Sequence, residues 1–148
     1  MRVVIQRVSK AKVSVDKKEI ASIDKGFLLL VGVEQDDSEK DVKYLTRKIA
    51  NMRIFDDLKG KMNLSLKKVG GEILSVSQFT LHANTRKGNR PSFIKAADAE
   101  HAKRLYKKLN EKLMEEGLTV EAGIFGADMD VSLVNDGPVT LLIDSKDK

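Results

Sequence analysis

The chain has 148 residues, the length of one domain, with 41% hydrophobic and 33% charged residues, a composition that argues against global disorder. It contains no cysteine, which excludes disulfides, thiolate catalysis and cysteine-ligated metal sites. Its net charge of +5 favours a polyanionic partner, because lysine and arginine gain Coulomb energy near phosphates and release their counterions.

The first quarter of the chain predicts an antiparallel meander that leads into a central strand. β-Branched residues are frequent in residues 3–8 and 12–15, and turn-forming residues 16–19 precede the short apolar segment 20–23. Residues 27–33 form a continuous apolar run, as expected for a strand that is buried on both faces.

Two amphipathic helices are predicted from capping residues that precede apolar stripes. Ser38 and Asp41 have the spacing of a capping box, and the apolar stripe after them runs to Met52. Asp98 is placed to cap the second helix, which Gly117 ends. The solvent-facing side of the second helix carries five cations, namely Lys103, Arg104, Lys107, Lys108 and Lys112.

The remaining apolar segments predict short strands. They lie at residues 53–55, 72–79, 119–122, 131–134 and 139–143, with turns at Gly60 and at residues 70–71. Several strands with two helices predict a single α+β domain over residues 1–148, with a mostly antiparallel or mixed sheet. The N-terminal apolar stretch is too short for a signal sequence and no 18-residue apolar run occurs, so we expect a cytoplasmic protein.

Three polar segments are candidates for function. In residues 76–81 a strand runs into Ser77, Gln78 and Thr80, which fits either ordinary strand alternation or a strand end that presents N–H groups and a hydroxyl to a ligand. Residues 135–140 combine Asn, Asp, Gly and Pro between two apolar strands, so a turn is the default interpretation. Residues 85–93 form a basic loop, which is either solvated or placed to bind phosphate.

Histidines and carboxylates offer weaker candidates. No Ser/His/Asp spacing supports His82 as a general base, and we expect it to be exposed at a strand end. His101 is expected to be structural or solvated. Four carboxylates in turns, Asp56, Asp57, Asp128 and Asp130, have no EF-hand spacing, so we expect neither a required metal nor a cofactor.

Taken together, these segments resemble the D-aminoacyl-tRNA deacylase family. The resemblance rests on residues 5–8, 53–55, 60–63 and 90–93 and on two signature runs. The runs are Val-Ser-Gln-Phe-Thr-Leu at residues 76–81 and Val-Ser-Leu-Val-Asn-Asp-Gly-Pro-Val-Thr at residues 131–140. The resemblance extends through nearly the whole chain, and it implies that the expected sheet is barrel-like.

The resemblance implies a homodimer that acts on aminoacyl-tRNA at sites on the subunit interface. Gly137 and Pro138 would form a cis dipeptide that enters the partner's pocket. Its main-chain carbonyls would face the substrate's α-carbon, accept a D-residue and collide with an L-side chain. Glycine has no side chain, so glycyl-tRNA would pass the same barrier.

The resemblance also assigns the reaction to residues 77–80. An aminoacyl ester is already activated, so water attack requires mainly placement and stabilisation of the oxyanion. Backbone N–H groups of Gln78 and Phe79 are the expected donors, beside Ser77. Thr80 is either a nucleophile or a hydrogen-bonding positioner. We favour the positioner because neither histidine has a convincing place as its base.

Phosphate contacts are expected from the basic loop, through Arg86, Lys87 and Arg90, and from the charged face of the second helix. Two alternatives stay open. One is a non-catalytic RNA-binding module, although the chain has only five Phe and two Tyr residues and no RNA-recognition-motif signature. The other is a different small hydrolase, such as an amidase, with Thr80 as its nucleophile.

Overall fold

One long first strand organises the sheet. In the computed structural model, which describes residues 1–148, β1 (Arg2–Val15) is a single strand rather than the two predicted pieces. On one side it pairs antiparallel with β2 (Lys18–Ile23) and β3 (Gly26–Gly32). The turn between β1 and β2 uses Asp16 and Lys17, both with positive φ, as in the type I′ turns that suit the twist of hairpins.

The sheet is mixed and nearly closed, which confirms the predicted α+β, barrel-like class. Beyond β3 the sheet continues in parallel through β6 (Glu72–Ser77) and β7 (Thr119–Ala122). A separate antiparallel pair is formed by β4 (Arg53–Asp56) and β5 (Met62–Ser65). Gly26 permits the tight contact between β3 and β6, because a Cβ there would lie 1.8 Å from the Glu72 carbonyl oxygen.

Both predicted helices are present with their predicted caps. In α1 (Glu39–Asn51), Ser38 and Asp41 form the reciprocal capping box. In α2 (Ala99–Glu115), the Asp98 carboxylate accepts the His101 N–H at 2.9 Å, and Gly117 follows with a φ of +84°. No helix in the structure combines the length and apolar character needed to cross a bilayer.

The interior divides into two apolar clusters on the two sides of the sheet. The larger one packs α1 and α2 against the sheet through Leu45, Ile49, Leu105 and Leu109, all fully buried. The smaller one lies where β1, β2, β3 and β6 curl together, around Val13 and the side chains near it. Burial from both sides explains why β3 is apolar along its whole length.

Two predicted boundaries were wrong. The strand predicted over residues 72–79 ends at Ser77, and residues Phe79–His82 form a short 3-10 helix. Residues 135–140 do not reverse the chain, because β8 (Asp130–Asp144) pairs with β1 on both sides of them. Val8 faces Asn135 and Gln6 faces Thr140, so the four residues between Asn135 and Thr140 bulge out opposite the single residue Arg7.

Candidate active site

Residues 77–80 leave the sheet at the carboxyl ends of the parallel strands β3 and β6. The Gln78 N–H donates to the Val31 carbonyl at 2.7 Å and ends the pairing of the two strands. Gly32 is needed beneath this turn, because a Cβ there would lie 3.0 Å from the Gln78 carbonyl oxygen and 3.0 Å from His82 Nε2. The 3-10 helix that follows carries Phe79, 56% exposed, and Thr80 on the surface.

A mostly apolar cavity of about 430 Å³ opens beside this segment. Ser77, Gln78 and Phe79 form one wall. Other lining residues come from α2, from the segment before β8 and from the start of β8, namely Ala99, Ala102, Tyr106, Phe125, Met129 and Val131. Burial raises the pKa of the Tyr106 phenol, whose hydroxyl donates to the Ser75 carbonyl at 2.8 Å. The cavity has the size and lining of a small-molecule site.

The hydrogen bonds of Gln78 and Thr80 revise the expected chemistry. Gln78 N–H was expected to stabilise an oxyanion, but here it donates to the Val31 carbonyl, so it is not free to bind one in the geometry observed. Phe79 N–H remains a candidate, since it lies in the first turn of the 3-10 helix, where N–H groups lack intrahelical partners. The Gln78 side-chain amide donates to Thr80 Oγ1. An amide donor at that oxygen does not activate it as a nucleophile.

Arg7 holds the bulge that contains Gly137 and Pro138. Its side chain is 6% exposed, and it donates to the Asp136 carbonyl at 3.2 Å and to the Ile54 carbonyl at 2.8 Å. Gly137 has a φ of +120°, and a Cβ there would lie 2.8 Å from Arg7 Nη2. The Gly137–Pro138 peptide bond is cis. Sequence reasoning gave Arg7 no role, although residues 5–8 were part of the family resemblance.

Asn135 closes the base of the same bulge. Its side-chain amide donates to the Arg7 and Val139 carbonyls, both at 3.0 Å, and its Oδ1 accepts from the Thr140 hydroxyl at 3.1 Å. Gly137 and Pro138 are exposed at the tip, whereas Val139 is buried. The dipeptide is therefore presented outward by a bulge whose base is fixed by hydrogen bonds.

The two predicted halves of the site do not meet within one chain. Gly137 and Pro138 are not among the residues that line the cavity beside Ser77. They lie on β8, and β1 and β3 separate β8 from β6. Three strand spacings of about 4.8 Å put roughly 14 Å between the two strands. The register adds to this separation, because Arg7, opposite the bulge, pairs with Phe27, and Phe27 pairs with Ile73, four residues before Ser77. A site that combines both segments requires a second copy of the chain.

The basic loop is anchored at its base and exposed at its tip. Asn84 and Ser92 exchange two backbone hydrogen bonds of 2.8 and 3.0 Å, and the Phe93 ring packs edge-on against Phe79 with 5.1 Å between centroids. These contacts fix one end of the loop to the 3-10 helix. The loop's cations are exposed and form no ion pair, namely Arg86, Lys87 and Arg90.

The two histidines have different environments. His82 is 2% exposed, so the expectation of an exposed strand-end residue was wrong. Its Nδ1 lies 3.3 Å from Glu34 Oε1, and neither of its ring nitrogens forms a hydrogen bond with Thr80. His101 was expected to be structural or solvated. It is structural, because its Nε2 lies 2.9 Å from the Asp37 carbonyl oxygen.

The aspartates that the sequence offered as a possible metal site make separate contacts. Asp56 lies 3.7 Å from Arg7, and Asp57 accepts N–H groups of the β4–β5 turn. The carboxylates that do cluster are Glu34, Asp36 and Asp37. Lys146 Nζ contacts all three, and the N-terminal ammonium group contacts Asp37, so two cations of the protein itself offset part of this group's negative charge.

The family model for D-Tyr-tRNA(Tyr) deacylase matches residues 4–144, which include both signature runs. The chain belongs to the D-Tyr-tRNA(Tyr) deacylase family. The resemblance indicated by the sequence is thereby confirmed, and the match covers the 3-10 helix and the β8 bulge of this deacylase-family chain.

Curated relatives of this deacylase-family chain match it along its whole length. A D-aminoacyl-tRNA deacylase of Halalkalibacterium halodurans is 56% identical over 99% of this chain and 100% of its own. Those of Thermus aquaticus and Flavobacterium psychrophilum are 55% and 57% identical over 100% of this chain, with 97% and 99% of their own lengths covered.

Solved structures share the fold. A protein described as the c-Myc DNA unwinding element binding protein superposes with a TM-score of 0.91 at 39% identity, over 97% of this chain and 98% of its own. A probable eukaryotic D-amino acid tRNA deacylase superposes with a TM-score of 0.85 over 96% of this chain and 97% of its own. At 15% identity, the second likeness concerns the fold alone.

Proposed function

We propose that this protein is a D-aminoacyl-tRNA deacylase, a carboxylic ester hydrolase that releases the D-amino acid and free tRNA. The observation that carries the proposal is the agreement, at 55–57% identity over essentially the full length, with three proteins curated under that name. Removal of wrongly attached D-residues is a proofreading step of translation. The substrate places the activity in the cytoplasm, where tRNA is charged.

The esterified end of the tRNA would bind in the cavity beside Ser77 and Phe79. Its apolar lining and the exposed Phe79 ring suit an aminoacyl-nucleoside end, because a nucleobase stacks on aromatic side chains. The Phe79 N–H then supports the developing oxyanion, and Thr80, held by the Gln78 amide, positions the substrate. Water, held by the terminal ribose hydroxyl, would add to the ester carbonyl and pass one proton to the ribose oxygen that leaves, so this arrangement requires no side-chain base.

The chiral filter would come from a second copy of the chain. The outer edge of β8 is free, since β1 is its only paired strand, and β8 exposes Val134 and Leu142, 45% and 64% exposed. An open edge with exposed apolar side chains favours association with another chain. In such a homodimer, Gly137 and Pro138 of one copy would complete the cavity of the other.

Main-chain exclusion explains how such an enzyme can ignore the identity of the side chain. Apolar pockets separate substrates by only about 1 to 3 kcal/mol per methylene group. A rigid wall of backbone beside the α-carbon instead rejects every L-residue by collision. The Arg7 and Asn135 hydrogen bonds supply the rigidity that such a wall needs.

Glycyl-tRNA should be cleaved by the same site, because glycine has no side chain to collide with the wall. The measurement is release of labelled glycine from glycyl-tRNA by the purified protein. An enzyme that cleaves D-tyrosyl-tRNA and leaves glycyl-tRNA intact would show that the filter reads more than a steric collision.

The proposed activity is tested with D-tyrosyl-tRNA and L-tyrosyl-tRNA as paired substrates. A D-aminoacyl-tRNA deacylase releases D-tyrosine and leaves the L-ester intact. An RNA-binding module cleaves neither substrate, and an unrelated ester hydrolase or amidase shows no D-preference. Either of those outcomes rules the proposal out.

A further inference from the structure

A second concave surface lies between the two helices, away from the candidate active site. This helix groove has a volume of about 810 Å³, and ten of its twelve lining residues are not hydrophobic. From α1 it takes Lys40, Lys43 and Arg47, and from α2 it takes Lys108 and Lys112. Residues spaced by three or four share one helix face, so each helix presents a row of cations to the groove.

The acidic residues of the helix groove are already paired. Glu39 lies 4.0 Å from Arg104, Glu115 lies 2.6 Å from Lys112, and Glu116 lies 3.1 Å from Lys67. Arg104 and Lys67 do not line the groove. Two of the groove's three carboxylates are therefore paired with cations that lie outside it.

The four other cations of the two rows have no carboxylate oxygen within 4.0 Å, namely Lys40, Lys43, Arg47 and Lys108. Like charges on two packed helices repel one another, and the side chains that line the groove comprise six cations and only three carboxylates. A site with this surplus has the charge pattern of a surface that contacts phosphates.

We propose that the helix groove binds the phosphate backbone of the substrate tRNA, at a place several nucleotides from the esterified end. This inference rests on the proposed deacylase function for the identity of the RNA. Lys108 lies six residues beyond Ala102, a cavity residue, which is about 9 Å along α2 and about 120° around it. RNA that leaves the cavity would therefore follow α2 over its surface to reach the cations.

Phosphate contacts carry no sequence information, so the groove fits an enzyme that acts on tRNAs charged with different amino acids. The basic loop would hold the RNA near the cavity, and the helix groove would hold the more distant part. Two separated contact regions fix the direction of the RNA on the protein, which one region alone does not.

The test replaces three groove cations together, as Lys43→Gln, Arg47→Gln and Lys108→Gln. A matched control removes the same charge elsewhere, as Lys10→Gln, Lys18→Gln and Lys59→Gln, three exposed lysines outside the helix groove. Dissociation constants for uncharged tRNA are measured against salt concentration. Each lost phosphate contact reduces the magnitude of the slope of log K against log salt by about 0.9. The slope of the groove variant should therefore be smaller in magnitude by about two to three, and the variant should bind tRNA about tenfold or more weakly.

A second readout compares two substrates for the same proteins. The ratio of kcat/KM on D-tyrosyl-tRNA to kcat/KM on D-tyrosyl-adenosine should fall at least tenfold in the groove variant, because the small ester has no phosphates to bind. The control variant should keep both the wild-type ratio and nearly the wild-type salt slope. Equal losses in the two triple variants would overturn the groove as a site and leave only a general charge effect.

Failure of the proposed function would be visible separately. A wild-type protein that cleaves neither substrate contradicts the deacylase proposal. The salt slopes, measured on uncharged tRNA, would still show whether the groove cations contact phosphates.

Discussion

Thr80 is the residue at which the two mechanisms for ester cleavage differ most. Its hydroxyl accepts a hydrogen bond from the Gln78 amide, and the buried His82 forms no hydrogen bond with it. We expect Thr80→Ala to keep kcat on D-tyrosyl-tRNA within about tenfold of wild type, whereas loss of a true nucleophile costs about 10⁴-fold or more. A folded Thr80→Ala protein that binds tRNA and has lost all activity would establish the nucleophile.

Gly137 is the residue at which a single methyl group should affect selectivity. Its φ of +120° disfavours L-residues, and an added Cβ would lie 2.8 Å from Arg7 Nη2, so Gly137→Ala must shift the bulge. We expect the ratio of D- to L-tyrosyl-tRNA cleavage to fall by at least tenfold. Gly60→Ala is the control, because Gly60 also has a positive φ, +73°, but open space around it. Equal selectivity in the two variants would count against main-chain exclusion.

At the scale of elements, the N-cap of α2 links helix stability to the cavity. Asp98 caps the helix whose first turns supply Ala99 and Ala102 to the cavity wall. Asp98→Ala should lower the free energy of unfolding by about 1 kcal/mol, measured by urea denaturation. Exposed Glu100, in the same turn and without a cap contact, provides Glu100→Ala as the control. A loss no larger than that of the control would show that the cap contributes nothing.

Sequence patterns specified the helices better than the irregular parts of the strands. The Ser38–Asp41 box and the Asp98 cap act within a few residues, so local spacing was sufficient to predict them. Asn-Asp-Gly-Pro has the same local chemistry in a turn and in a bulge. The choice between them depends on pairing with β1 and on the Arg7 hydrogen bonds, which join residues more than 120 positions apart.

The candidate site was predictable in its parts but not in its assembly. Residues 77–80 were recognised by their motif, and three of them, Ser77, Gln78 and Phe79, line a cavity. The Gln78 N–H donates to the Val31 carbonyl, and His82 is buried. Both features depend on how β3 and β6 pair, which the local sequence does not encode. The separation of Gly137 from that cavity likewise follows from strand order.

At the scale of the whole molecule, acid should destabilise the fold through carboxylates that join its two ends. Burial alone would raise the pKa values of Glu34, Asp41 and Asp144, but hydrogen bonds keep each pKa below its ordinary value. Glu34 accepts from Lys146, and Asp144 accepts from Arg2. Asp41 accepts from Ser145 and Ser38. Groups with a lowered folded pKa stabilise the protein above their unfolded pKa values, and this stability is lost as pH falls through the folded values.

We therefore expect the urea midpoint to stay nearly constant from about pH 7 to about pH 5 and to fall below about pH 4.5. Lys146→Gln removes the partner of Glu34 and should lower the midpoint at neutral pH while reducing its fall in acid. Lys10→Gln, at an exposed lysine without an ion pair, is the control. A midpoint that rises on acidification would contradict the assignment of these ion pairs.

In the proposed homodimer, backbone from one copy of the chain completes the pocket of another and distinguishes mirror-image aminoacyl esters. The most direct measurement is a crystal structure of the protein with a non-hydrolysable D-tyrosyl-adenosine amide. We expect the ligand beside Ser77 and Phe79, with main-chain atoms of Gly137 and Pro138 from the second copy in contact with its α-carbon. A ligand bound there with that dipeptide far from the α-carbon, or with a side chain in its place, would contradict it.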